Sequence, residues 1–185
     1  MSVYNIANLP DTADYFVFDT NVLLFLHGFN SENRDRRYVR AMRDYSVIAN
    51  NIIANGGHVY IDLIALSEFV NKYIKQALAD KLGEEYKDFK FDKKEHREKP
   101  EYFEAIADLQ QVINQIMTSY NVEIVSDGYD GFDIDKLSEI LPIMELNDHL
   151  ISLVAKKYGA YLVTHDRDIV DGCRYVNVVT ALPAR

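Results

Sequence analysis

The chain has few of the features that mark disulfide-bonded, zinc-binding or membrane-spanning proteins. Cys173 is the only cysteine among 185 residues, which excludes an internal disulfide and a cysteine-rich zinc site. No apolar run approaches the roughly 18 residues that a bilayer-spanning helix needs. The first residues lack the basic and apolar stretches of a signal peptide. We therefore expect a soluble, cytoplasmic protein without a membrane partner.

The chain also lacks an excess of basic residues. Twenty Lys and Arg against 29 Asp and Glu give a net charge of −9, which on its own argues against a nucleic-acid partner. Acids that bind metal ions weaken this argument, because bound cations reverse the local field. The net charge therefore does not decide the partner, and the arrangement of the acids has to.

The residues that are present indicate one folded domain spanning residues 1–185. Hydrophobic residues make up 48% of the chain, with 13 Tyr and 9 Phe, which is incompatible with a disordered or fibrous protein. Short apolar segments predict five strands, at residues 15–19, 58–62, 122–126, 161–164 and 175–178. Helical patterns lie between them, including one at about 35–55 with Val39, Met42, Val47 and Ile48 near helical spacing. This alternation predicts a parallel sheet covered by helices on both faces.

Residues 79–100 depart from this alternation. The segment is mostly charged, with Tyr86, Phe89 and Phe91 interspersed. We interpret it as a charged insertion or helical extension that buries little apolar surface, opens easily and contacts substrate.

Acidic residues follow the predicted strands or open the helices beside them. Asp19 follows the first strand, and Glu68 lies in the helix after the second. Asp148 opens the helix before the fourth strand, while Asp166 and Asp168 come directly after that strand. Because ligands bind beyond the carboxyl ends of parallel strands, these acids are expected to meet at one edge of the sheet.

A cluster of this kind requires neutralisation, because like charges a few ångströms apart repel strongly. Oxygen-only ligands suit Mg²⁺ or Mn²⁺ better than zinc, and two such ions can activate a water and stabilise the leaving oxygen of a phosphodiester. Each acid also has an ordinary structural interpretation. Asp19 and Asp148 could cap or open helices, Glu68 could be a solvated helix residue, and Asp166 and Asp168 could form a turn.

Four motifs together resemble one known family. They are FVFDTNVLLFL, ALSEFV, LNDHLISLVAKKYGAYLVT and THDRDI, and in this order they are similar to the PIN domain family over residues 15–178, apart from the charged segment. The resemblance implies a three-layer α/β/α fold with a central parallel sheet of about five strands. It also implies endoribonuclease activity and a site for Mg²⁺ or Mn²⁺.

The resemblance also assigns roles to individual residues. Asp19, Glu68, Asp148 and Asp166 match the family's metal-binding and catalytic acids, with Asp168 as a supplementary ligand. The sequence does not rank Asp166 against Asp168. Thr20, Asn21 and Thr164 are expected to orient ligands or water through hydrogen bonds.

The resemblance implies RNA as the substrate and leaves several partners open. Many small bacterial PIN proteins are toxins held by an antitoxin-like protein inhibitor, and a homodimer is also open. Here Glu68 and Asp148 are separated by 148 − 68 = 80 positions, which is longer than expected for the compact toxins. A stand-alone RNA-processing enzyme and a catalytically weak RNA- or protein-binding regulator are the alternatives.

A phosphatase is the alternative enzyme class. Haloacid-dehalogenase-like phosphatases also place an Asp after the first strand, but they need a second acid two residues later to protonate the leaving oxygen. That position is Asn21.

Two groups of basic residues are candidates for holding RNA, each with a solvated surface as the equally favoured alternative. One follows helical spacing and could form a basic ridge; the other lies among aromatic residues and could combine charge with stacking. The first group is Arg36, Arg40 and Arg43, and the second is Lys87, Lys90, Lys93 and Lys94.

Overall fold

The protein is built around a six-stranded sheet in which every strand pair is parallel. A computed structural model describes residues 2–5, 14–28, 36–86 and 88–183, without the side chain of Lys93. The strand order is β1-β6-β5-β2-β3-β4. The strands are β1 (Val3–Tyr4), β2 (Tyr15–Phe18), β3 (His58–Asp62), β4 (Asn121–Val125), β5 (Tyr161–Val163) and β6 (Val178–Val179). The predicted parallel sheet is confirmed, and β1 is a short additional strand at its edge.

Helices connect the strands and cover both faces of the sheet. They are α1 (Thr20–His27), α2 (Arg36–Ala54), α3 (Leu63–Lys81), α4 (Lys93–His96), α5 (Pro100–Ser119), α6 (Leu137–Ile140), α7 (Leu146–Lys157) and α8 (Arg167–Gly172). Two short 3-10 helices, Tyr129–Gly131 and Ile134–Lys136, precede α6. Among the described residues, no helix combines the length and apolar character needed to cross a membrane.

Alternation along the strands divides the core into two layers. Phe16 and Phe18 of β2 point into a cluster formed with α1, α2, α3 and α5, whereas Val17 between them joins a cluster formed with α7 and α8. The same alternation separates Val59 and Ile61 from Tyr60 in β3. Successive strand residues point to opposite faces, so a sheet buried on both sides needs continuous apolar strands. The expected three-layer α/β/α architecture follows.

Helix α2 begins and ends within one residue of the predicted limits, but only part of its predicted apolar stripe is buried. Val39 and Val47 are 55% and 41% exposed. The buried face carries Ala41, Tyr45, Ile48, Ala49 and Ile52, so the prediction is confirmed for Ile48, and Met42 packs against the same cluster. Packing selects the residues of one helical stripe, and an aromatic and two alanines belong to that stripe here.

The prediction that residues 79–100 bury little is wrong. Helix α3 continues to Lys81, and Ala79 is buried. Phe89 is 3% exposed and joins the larger core cluster, beside Phe91 and the buried ring of His96. Phe91 in turn stacks on Tyr102 at the start of α5, at 6.4 Å between ring centroids. Aromatic side chains bury a large area each, so these few side chains attach the charged segment to the helices.

We expect Phe89→Ala to lower the free energy of unfolding by about 3 kcal/mol, the usual cost of truncating a buried Phe. Tyr86→Ala in the same segment is the matched control. Tyr86 is 42% exposed and lies under the ammonium group of Lys75, so its loss is expected to cost less than about 1 kcal/mol. Urea unfolding of both variants measures the difference. Equal losses would show that Phe89 is not a core residue.

Candidate active site

The carboxyl ends of β2 and β5 form the floor of the candidate site. Phe18 and Val163 are paired in register at the last residues of these strands. The N–H of Asp19 donates to the carbonyl oxygen of Val163 at 3.0 Å, and the hydroxyl of Thr164 donates to Oδ2 of Asp19 at 2.8 Å. Helices α1 and α2 follow β2 on one face of the sheet, and α8 follows β5 on the other face. The connections therefore change face between the neighbouring strands β2 and β5, which is the usual location of ligand sites in such sheets.

Asp19 is 5% exposed and stands immediately before α1. Its side chain makes no capping hydrogen bond to the helix, so the ordinary interpretation of Asp19 as an N-cap is not supported. Burial, with additional repulsion from Asp166 and Glu68, raises its pKa from 3.8 to about 6. The hydrogen bond from Thr164 lowers the pKa but does not offset burial. The amide of Asn21 reaches Oδ2 of Asp19 only at 3.5 Å.

Glu68 lies in the second turn of α3, with both carboxylate oxygens engaged. Oε2 accepts from the hydroxyl of Thr20 at 3.1 Å, and that hydroxyl is also 3.2 Å from the carbonyl oxygen of Ala65. Oε1 lies 2.6 Å from Nζ of Lys72, one turn further along the helix. Thr20 is 2% exposed, and its hydrogen bond holds the Glu68 side chain at the start of α1.

Asp148 lies in the first turn of α7, on the side of the cleft opposite α3. Burial raises its pKa from 3.8 to about 7, with further contributions from the charges of Asp166, Asp19 and Glu145. A cleft brings Asp148 together with Asp19 and Glu68; it is lined by Asp19, Thr20, Ile64, Ala65, Glu68, Asn147, Asp148 and Ile151. The predicted meeting of these three acids at one edge is therefore present in the structure.

Asp166 and Asp168 differ in their relation to the other acids. Asp166 precedes α8, receives a hydrogen bond on Oδ1 from the N–H of Asp168 at 2.7 Å, and donates its own N–H to the Thr164 hydroxyl at 2.9 Å. Its charge raises the pKa of both Asp19 and Asp148. Asp168 is exposed and is not among the groups that shift those two carboxyl groups. The charge of Asp166 thus acts on the other acids, and a supplementary role of Asp168 stays a prediction.

The donor chemistry at this edge fits a hard divalent cation. Asp19, Glu68, Asp148 and Asp166 offer only carboxylate oxygens, the ligand type that Mg²⁺ and Mn²⁺ prefer, and their crowded charges favour uptake of a cation. Within the described part of the chain, no three Asp, Glu, His or Cys side chains lie close enough to share one ion. The acids are therefore electrostatically coupled without forming a closed ligand cage.

Tyr45 of α2 is a structural element of the site that the sequence patterns did not reveal. Its buried hydroxyl donates to the carbonyl oxygen of Thr164 at 2.6 Å and accepts from the N–H of Ala181 at 3.2 Å. It also lies 3.1 Å from Nδ1 of His165. Nothing in the sequence around a tyrosine in an amphipathic helix points to this role. Lys72, by contrast, could have been found from its i,i+4 spacing to Glu68.

The predicted basic ridge is partly neutralised. Arg40 and Arg43 both lie 3.6 Å from Asp44, at largely exposed positions, and Arg36 is exposed. Arg40 also lines a cavity of about 330 Å³ that reaches the ring of His165, next to Asp166. Of the three predicted arginines, Arg40 is the one that lines this cavity.

The second predicted group of basic residues lies in the segment between α3 and α5. Lys90 and Lys94 are exposed, whereas Lys87 and the side chain of Lys93 lie outside the described residues. The segment that carries them contacts the far end of α3 and the start of α5. From Glu68, the end of α3 at Lys81 is about 20 Å away along the helix axis, at 1.5 Å per residue. RNA binding by these lysines stays a prediction.

Comparison with known proteins gives a family match over most of the chain. The model of the PIN domain family matches residues 16–174. No curated protein matches the chain. A chain in the crystal structure of VapBC2 from Rickettsia felis bound to a DNA fragment from their promoter is similar in fold, with a TM-score of 0.49 and 15% sequence identity over 90% of this chain and 98% of that one.

Proposed function

Because the chain belongs to the PIN domain family, we propose that it is a nuclease that hydrolyses RNA internally with Mg²⁺ or Mn²⁺. The observation that carries the proposal is the electrostatic coupling of Asp19, Asp148 and Asp166 at the carboxyl ends of β2 and β5. Asp19 and Asp148 line one cleft, and burial together with neighbouring acids raises the pKa of both; such carboxyl groups are typical of functional sites. A purely structural role would leave this repulsion uncompensated.

The acids at this edge and the threonines beside them would have different roles in phosphodiester hydrolysis. Asp19, Glu68, Asp148 and Asp166 would hold the cation, and a bound cation supplies an activated water and neutralises charge on the phosphate. Thr164 orients Asp19 through its 2.8 Å hydrogen bond, and Thr20 orients Glu68 through its 3.1 Å hydrogen bond. Both hydroxyls are buried, so the orientations of these two acids are set by the fold.

RNA binding by Arg36, Arg40 and Arg43 is part of the proposal, because Arg40 lines a cavity together with His165, the residue before Asp166. An antitoxin-like inhibitor and a homodimer stay predictions of the resemblance alone. The phosphatase alternative gains no support, since Asn21 stands where that chemistry requires an acid and the family match points to a nuclease-type domain.

The test is cleavage of single-stranded RNA by the purified chain in Mn²⁺, with Asp166→Asn compared with Asp168→Asn. Asparagine also accepts the hydrogen bond of an N-cap, so Asp166→Asn keeps the start of α8 and removes one charge from the site. We expect its rate to fall at least a hundredfold, on the order of several kcal/mol in barrier height. Asp168→Asn tests the supplementary role: an exposed carboxylate that does not bind the cation contributes little, so cleavage within about threefold of the wild type is expected.

Two results would overturn the proposal. Absence of RNA cleavage by the wild type in Mn²⁺ removes the nuclease function. Equal activity of Asp166→Asn and the wild type removes Asp166 from the site even if cleavage occurs.

A further inference from the structure

Lys72 is a cation beside the acidic cleft that the proposed reaction does not yet use. Its Nζ lies 2.6 Å from Oε1 of Glu68, and its side chain is 38% exposed. Glu68 also accepts from Thr20 through its other oxygen. In this arrangement both oxygens of Glu68 already have a partner within the protein, and one of these partners is a cation.

An open groove of about 390 Å³ continues from the acidic cleft past Lys72. Its lining residues are Leu63, Ile64, Ser67, Glu68, Asn71, Lys72 and Asn147. Three of these, Ile64, Glu68 and Asn147, also line the acidic cleft, so the two depressions meet. Apart from Glu68, the polar residues of the groove are one cation and three neutral hydrogen-bonding side chains. Such a surface fits a phosphate of a strand that passes through the acidic cleft.

We propose that Lys72 binds a backbone phosphate of the substrate in this groove, and that it becomes available when a divalent cation takes its place at Glu68. This inference rests on the proposed nuclease function. It makes Lys72 a substrate-binding residue whose free state is coupled to occupation of the acidic site.

Competition at Glu68 is the physical basis of the coupling. An ammonium group at 2.6 Å from Oε1 and a divalent cation at the same oxygen repel each other, so the two cations compete for Glu68. An ion pair with both side chains more than one-third exposed is weak, so a divalent cation that binds Glu68 displaces it. The lysine stem has four flexible carbons and carries a mobile point charge. Once displaced, the ammonium group lies at the wall of a groove where phosphate is the complementary charge.

The first experiment measures Mn²⁺ binding by calorimetry in the absence of RNA. Lys72→Met removes the competitor and keeps a good helix former, so Mn²⁺ is expected to bind about threefold more tightly, the range set by a weak exposed ion pair. Lys75→Met is the matched control. Lys75 carries the same charge on the same helix but lies over the ring of Tyr86, 4.7 Å from its centroid. Its removal is expected to leave the affinity unchanged. Equal tightening by both variants, or none by Lys72→Met, would overturn the competition.

The second experiment separates KM from kcat for RNA cleavage in saturating Mn²⁺. A residue that holds a phosphate equally in ground and transition states affects KM and not kcat. We expect Lys72→Met to raise KM about fivefold with kcat within twofold, and Lys72→Arg to restore KM. An unchanged KM, or the same increase for Lys75→Met, would overturn the phosphate contact. If the wild type does not cleave RNA at all, the proposed function has failed, and the Mn²⁺ titration still decides whether Lys72 competes for Glu68.

Discussion

Asp19→Asn is expected to lower RNA cleavage by about a thousandfold without unfolding the protein, a loss equivalent to roughly 4 kcal/mol of barrier height. Asparagine has nearly the same shape and can still accept the hydrogen bond from Thr164. It removes the carboxylate charge that a cation at this edge requires. Initial rates in Mn²⁺, with circular dichroism to confirm the fold, measure the effect.

The same substitution is expected to leave the metal-free protein as stable as the wild type or more stable. The pKa of Asp19 is raised to about 6 in the folded state from an ordinary value of 3.8. Keeping this buried carboxylate charged at pH 7.5 therefore costs up to about 3 kcal/mol, at 1.36 kcal/mol per pKa unit. Asparagine removes that cost. A melting temperature well below that of the wild type in EDTA would assign Asp19 a structural role.

The pH dependence of stability follows from the same shifts. A folded-state pKa above the unfolded value means that the folded protein holds the proton more strongly. Stability of the metal-free protein is therefore expected to fall as pH rises from about 4 to 7, through the folded pKa values of Asp19, about 6, and Asp148, about 7. Urea unfolding in EDTA across this range should show a smaller fall for Asp19→Asn than for the wild type.

Asp62→Asn is the matched control for Asp19→Asn. Asp62 is also a fully buried aspartate at the carboxyl end of a central strand. Its oxygens, however, accept from the N–H of Ile64 at 3.1 Å and from the hydroxyl of Tyr129 at 2.5 Å. We expect this variant to lose about 1–2 kcal/mol of stability through weakened capping and hydrogen bonding, and to cleave RNA within a few-fold of the wild type. The two buried aspartates should thus show opposite phenotypes.

Removal of divalent cations is expected to abolish cleavage, and added Mn²⁺ or Mg²⁺ to restore it. Lys72 forms an ion pair with Glu68, but a single ammonium group does not replace a divalent cation beside four carboxylates. Activity assays after EDTA treatment and dialysis, followed by readdition of Mn²⁺, measure the dependence. Full activity in EDTA would falsify the metal-dependent mechanism.

The product ends identify the nucleophile. If a metal-activated water attacks the phosphorus, the bond to the 3′ oxygen breaks and that oxygen takes up a proton, which leaves 5′-phosphate and 3′-hydroxyl ends. A 2′-deoxy substitution at the cleaved position should then still permit hydrolysis. Products with 2′,3′-cyclic phosphate ends, together with protection by the 2′-deoxy group, would point instead to attack by the ribose hydroxyl.

The sheet and the general position of the acids could be predicted from the sequence because both depend on local patterns. Tyr15–Phe18 is a short apolar run followed directly by Asp19, and the strand His58–Asp62 ends in an acid. In a parallel sheet the residues after such runs necessarily share an edge. Local pattern alone cannot separate Asp19 from Asp62, however, because the difference between them is the set of hydrogen bonds that distant residues supply.

The remaining features depend on tertiary packing. The sequence around Tyr45 does not show that its hydroxyl joins Thr164 to Ala181, and the charges around Phe89 obscured the burial of its ring. In α2, the apolar side chains of Val39 and Val47 are exposed, whereas Tyr45 and two alanines are buried. The buried stripe is the one that packs against α1 and the sheet. Tertiary contacts decide such positions over local propensity.

The hydrogen bond between Thr164 and Asp19 joins residues 145 positions apart, and this has a consequence for biosynthesis. During translation β2 is made early, but its neighbour β5 and the acids Asp148 and Asp166 are made near the end. A ribosome-bound chain that extends only through α5 carries two of the four acids and lacks the hydroxyl that orients Asp19. Contacts of such long sequence separation form late. The acidic edge is therefore completed only after β5 and the residues that follow it have left the ribosome, and a shorter nascent chain is expected to lack the proposed activity.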